Sequence, residues 1–147
     1  MTAAPEEPKP RGHRRAVLRW VLAAFYAAAG VAHLWVPEKM LLIVPAWVPS
    51  PLQVILATGM FELLAATALV TKPLRWWAGF GLALYALCVW PANFKHALDG
   101  IEMPVIGNSW WYHGPRLALQ PVIIWWALYS AGVTDWPWHR SARASGS

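Results

Sequence analysis

LQVILATGMFELLAATALVT, residues 52 to 71, decides how this chain is read. It is apolar for most of its length and holds a single ionisable group, the carboxylate of Glu62, close to its middle. A helix of about 20 residues rising 1.5 Å each covers the roughly 30 Å of hydrocarbon in a bilayer. A helix on the surface of a soluble protein shows a polar stripe every turn, and this stretch has none. Three further runs share its character: Ala16 to Val36, Leu74 to Leu98 and Pro115 to Val133. The chain is 58% hydrophobic and 13% charged, too apolar for an ordinary soluble domain of 147 residues. The expected fold is all-α, an antiparallel bundle of four transmembrane helices.

Charge placement orients that bundle. Lys9, Arg11, Arg14, Arg15 and Arg19 precede or open the first run, Lys72 and Arg75 lie between the second and third, and Arg140 and Arg143 follow the fourth. The other side holds Lys39, Lys95 and Arg116. By the excess of Lys and Arg on cytoplasmic loops, both termini are expected in the cytoplasm. The net charge of +5 is thereby accounted for without a nucleic-acid partner. The start RGHRRAVLRWVLAAFYAAAGVAH could pass for a signal peptide, but its apolar run is long and three more follow, so an uncleaved first helix is expected. Residues 1–15 and 135–147, rich in proline or in small and charged residues, are expected as disordered tails around a membrane domain spanning 16–134.

The connections are equally telling. PEKMLLIVPAWVPSP, residues 37–51, is hydrophobic although it links two helices, which suggests a short element at the outer interface capping the bundle. Lys72-Pro73 forces a tight hairpin, and residues 99–114 carry turn signals at Asp99-Gly100, Pro104 and Gly107-Asn108. Tryptophans such as Trp20, Trp35, Trp47, Trp76, Trp77, Trp110 and Trp111 gather at segment ends, as interfacial anchors do. Cys88 is the single cysteine, read as a packing residue, so an intramolecular disulfide or a thiolate metal cluster is excluded.

Polar groups inside the apolar runs are the candidates for function. Ionised and unpaired near a bilayer midplane, Glu62 costs several kcal/mol, so it needs a partner, water or a proton. Thr58 shares its helical face. Tyr85, Asn93 and His96 share a face of the third run, Tyr26 and His33 one of the first, and Arg116 and Gln120 one of the fourth. An antiparallel arrangement brings His33, Asn93, His96, Arg116 and Gln120 to similar depths, with Glu62, Tyr26 and Tyr85 deeper. Pro91 and Pro121 leave the carbonyls of Leu87 and Leu117 without their helical donors, which interior polar groups or water would replace. These nine residues are the expected lining of an outer-half cavity, Glu62 being the strongest candidate for chemistry. The bland alternative is that the polar groups only fix helix pairing. No metal site is expected, because Glu62 lies too deep to join the histidines.

GVAHLWVPEKMLLIVPAWVPSPLQVILATGMFELLAATALV, followed by VWPANFKHAL and GPRLALQPVIIWWAL, resembles the DoxX-like family of small four-helix membrane proteins. The resemblance rests on Gly30 and His33, Pro45 and Pro49, Gly59 and Glu62, Pro91 to Asn93, and Arg116 with Gln120 and Pro121. It implies a bacterial plasma-membrane protein whose relatives are linked to a thiosulfate:quinone oxidoreductase subunit, to redox-protein maturation and to receptor assembly. A lone Cys88 argues against direct thiol exchange. The expected function is binding of a lipophilic molecule such as a quinone, as subunit or accessory of a membrane redox system. In that role Glu62 handles protons and Arg116 attracts an anionic group. The chain has no intrinsic cofactor motif, so electrons would come from a partner protein or a diffusible quinone. The alternatives are an assembly or scaffold protein for a client membrane protein, and a transport role that would require homo-oligomers.

Overall fold

The computed structural model describes residues 10–99 and 109–137. All of the regular structure among them is helical: α1 (Pro10–Trp35), α2 (Pro37–Leu41), α3 (Pro51–Val70), α4 (Arg75–Leu98), α5 (Trp110–Ala118) and α6 (Gln120–Ala131). Three of these, α1 from Gly12, α3 and α4, are long and apolar enough to cross a membrane. The outward-facing side chains agree. Leu64 is 67% exposed and Leu84 49% in the middle of their helices, surfaces that water would penalise and lipid tails would not.

Proline and glycine set the boundaries. Pro37 and Pro51 open α2 and α3 at the first helical turn, where a missing N–H costs nothing. Val36, just before Pro37, is pushed out of helical geometry at φ −130°, which ends α1. Gly132 ends α6 in the left-handed region at φ 82°, and its N–H and that of Val133 bond back to the carbonyls of Tyr129 and Leu128.

The helices close on one another. α1 packs along α3, α3 along α4, α4 along α6, and α6 returns to α1. The core joining them is built largely of small residues, Ala65, Ala66, Ala78, Ala83, Ala127 and Ala131, around Leu22, Leu69 and Leu82. Small side chains let helices approach closely where no hydrophobic drive operates between them. Gly79 shows how closely: a Cβ there would lie 2.1 Å from the Ala131 Cβ and 2.8 Å from the Ala127 carbonyl oxygen. At one end of the assembly Arg15 reaches the Thr134 carbonyl and the Asp135 carboxylate, and Arg19 donates to the Ser130 carbonyl at 3.2 Å. The start of α1 therefore sits beside the end of α6.

Two boundaries differ from expectation. α1 begins at Pro10, so residues 10–15, assigned to the tail from composition, are helical. Arg15 supplies the reason, since it is tied to Asp135 and lies 4.7 Å over the Tyr129 ring. The fourth run starts earlier as well, at Trp110, where the Ser109 hydroxyl caps the helix by accepting from the Trp111 N–H. It is interrupted once, at Leu119, two residues before Pro121. Leu119 keeps right-handed helical angles and bonds to the Pro115 carbonyl at 2.8 Å, so the path bends without turning away. The turn signals at Gly100, Pro104 and Gly107-Asn108, and most of both tails, lie outside the described residues.

Candidate functional site

Two glycines create the deeper part of the site. Gly30 of α1 and Gly59 of α3 meet face to face: a Cβ on Gly30 would lie 2.8 Å from the Gly59 carbonyl oxygen, and one on Gly59 would lie 2.9 Å from the His33 Cβ. The backbones touch only because neither residue has a side chain. Three residues on from each glycine, one turn further along its helix, stand His33 and Glu62. The crossing brings them together, with His33 Nδ1 2.9 Å from Glu62 Oε2.

This corrects the expected layering. Residue spacing places His33 with the outer residues, apart from a deeper Glu62, and instead the two are partners. Helix depth read from residue counts misses a crossing at backbone contact, which draws one turn of α1 directly onto one turn of α3.

Glu62 is 3% exposed. Its Oε1 accepts a hydrogen bond from the Tyr85 hydroxyl at 2.7 Å. Its Oε2 is buried and has no aligned hydrogen bond, because the His33 N–H is shared with the Ala29 carbonyl, also at 2.9 Å. A carbonyl can only accept, so Nδ1 must carry the proton and Nε2 is left as the variable position. Tyr26, also buried, packs edge-on to Tyr85 with ring centroids 6.2 Å apart. Thr58 donates to the Ile55 carbonyl at 2.7 Å.

A second cluster forms where α4 meets α5. Arg116 directs Nη1 to His96 Nδ1 at 2.7 Å and Nη2 to the Asn93 side-chain oxygen. A guanidinium only donates, so the His96 Nδ1 is an acceptor and its ring proton is on Nε2. His113 packs edge-on against His96, centroids 4.8 Å apart, and Arg116 lies 5.6 Å from the Tyr112 ring. Gln120 bridges back to α4, donating to the Ala86 carbonyl at 2.7 Å. The carbonyl it reaches lies one residue ahead of Leu87, the one singled out from Pro91. Lys95 takes no part in this cluster and turns to Asp99 and to the Leu42 carbonyl at 3.2 Å each.

Both clusters line one cavity of about 750 Å³. Tyr26, His33, Thr58, Glu62, Tyr85, Asn93, His96, Arg116 and Gln120 all contribute to its wall. The segment after α1 covers it with Met40, Ile43, Val44, Trp47 and Val48, and Lys95 anchors that segment through Leu42. Trp47 and Trp111, read from sequence as interfacial anchors, also border the cavity. So does Cys88, which is exposed rather than packed in the core. His113 was not anticipated: it is 1% exposed and both ring nitrogens lack a hydrogen bond. The sequence offered no cue for it, since it stands between turn residues and a tryptophan pair.

The fold and its interior define a helical membrane protein with a polar-tipped, apolar-walled cavity. The chain belongs to the family described as a domain of unknown function, DUF8561, which matches residues 22–131. No curated protein and no solved structure matches it.

Proposed function

We propose that this protein binds a lipophilic small molecule with a polar head, a quinone being the best fit, as subunit or accessory of a membrane redox system. One observation carries the proposal: a buried carboxylate, Glu62, stands in the wall of a large apolar cavity with one oxygen that no aligned donor satisfies. A buried acceptor left incomplete is costly to the fold, whereas a ligand O–H would complete it. The same oxygen lies 2.9 Å from the protonated His33 Nδ1, which steadies a carboxylate there, while the ring's other nitrogen, Nε2, is able to take up a proton. The aromatic and aliphatic walls suit a ring and an isoprenoid-like tail.

The proposal includes the setting. α5 and α6 together form a fourth crossing, supported by their nearly continuous path and by the α1–α6 packing. The bundle lies in a bacterial plasma membrane with both termini cytoplasmic, supported by the distribution of Lys and Arg. Kinship with the DoxX-like proteins is part of the same proposal, and rests on the two glycine motifs, Gly30 with His33 and Gly59 with Glu62.

The test is purification in mild detergent followed by mass spectrometry of the extracted lipophiles, comparing wild type with Glu62→Gln. A defined molecule held near one per chain by the wild type and lost from an equally stable variant is the expected result. An empty cavity in both proteins overturns ligand binding and points to a scaffold for a client membrane protein.

A further inference from the structure

Among the described residues, no carboxylate neutralises the charge of Arg116. Arg116 lines the cavity, and its side chain donates to two neutral acceptors, the His96 ring nitrogen and the Asn93 amide oxygen. Ion pairs among the described residues are Arg15–Asp135, His33–Glu62 and Lys95–Asp99, so no described carboxylate answers Arg116. A cation in an apolar wall without a counter-charge is costly. A guanidinium has five N–H donors, and two are engaged here, both in directions that fix the plane of the fork. Three remain for a ligand, and the Asn93 amide nitrogen adds donors beside them.

We propose that Arg116, oriented by Asn93 and His96, is an oxyanion-binding site at the α4–α5 side of the cavity. Its ligand is a phosphate, sulfate or similar tetrahedral oxyanion, arriving either as a free ion or as the headgroup of an anionic lipid. The site goes beyond the quinone reading and does not rest on it, because Glu62 takes no part. Arg–oxyanion geometry supplies two or more parallel charge-assisted bonds, and the Tyr112 ring lies 5.6 Å from the cation, within cation–π reach.

The experiment measures the melting temperature of detergent-purified protein in two titrations, with sodium sulfate at constant ionic strength and with phosphatidylglycerol in a neutral detergent. Wild type and Glu62→Gln should both show a saturable rise on the order of 5 °C at tenfold saturation. Arg116→Gln should raise the half-effect concentration at least tenfold. Should that variant fail to fold, Asn93→Asp decides the matter, since it puts a carboxylate where the amide oxygen now meets the guanidinium. Asn93→Asp should melt above wild type without anion and lose the response to it. A response to sulfate identifies a free ion as sufficient, and a response to phosphatidylglycerol alone identifies the lipid headgroup. No saturable response in either titration overturns the site, as does an Asn93→Asp protein that melts below wild type without anion. Loss of the response in Glu62→Gln would tie the anion to the deeper cluster and overturn the claim of independence.

Discussion

Glu62 takes a hydrogen bond from the Tyr85 hydroxyl on one oxygen and has His33 beside the other, so its neighbours should be energetically coupled. Tyr85→Phe removes the one aligned donor to the carboxylate among the described residues while leaving the aromatic packing against Tyr26 and Phe61 in place. Stranding a buried acceptor costs about 1–3 kcal/mol, so the variant should melt lower in detergent. Combining it with Glu62→Gln should lose less than the sum of the single losses, because an amide needs the phenol less than a carboxylate does. Additive losses across that double-mutant cycle would show that the phenol and the carboxylate do not support one another.

At the scale of helices, glycine decides where the elements meet. Gly79→Ala drives a methyl into Ala131 and the Ala127 backbone and should cost about 1–3 kcal/mol as α4 and α6 are forced apart. Gly81→Ala is the control on the same helix. Its added methyl would stand 3.5 Å from the Phe61 ring, an ordinary contact, and better helix propensity should leave stability unchanged or raised by up to about 1 kcal/mol. Equal melting temperatures for the two variants would refute a close α4–α6 crossing.

The same crossings explain what the sequence disclosed and what it withheld. Apolar length and proline position located α1, α3, α4 and the α5–α6 run, because those signals are local. The nine cavity residues were legible for a related reason: a polar side chain in an apolar run has few places to go but inward. His33 with Glu62 was not legible as a pair, since it depends on two glycines far apart in sequence meeting backbone to backbone. His113 was missed for the same reason, since its place comes from tertiary packing and not from any periodicity of its own. The cover formed by Met40, Ile43 and Trp47 was legible, because so apolar a connection between two helices has to lie against the bundle.

For the whole molecule the open quantity is the number of crossings, and parity makes it measurable. Three crossings put the termini on opposite sides of a membrane, and four put them on the same side. The contacts of Arg15 with Thr134 and Asp135 hold the two ends of the helical domain together, which is the arrangement that the proposed fourth crossing predicts. Removing the background thiol with Cys88→Ala allows single cysteines to be added as Ala3→Cys, Ser147→Cys and, in the exposed start of α2, Glu38→Cys. In spheroplasts of a bacterial host, a membrane-impermeant maleimide should label Glu38→Cys at once. Ala3→Cys and Ser147→Cys should be labelled only after permeabilisation, as the basic residues flanking α1, α3–α4 and α6 require. Labelling of one terminal variant from outside and the other from inside would reduce the crossings to three. The α5–α6 run would then lie along the membrane surface, and the cavity, with Arg116 and Gln120 in its wall, would open to the water beside it.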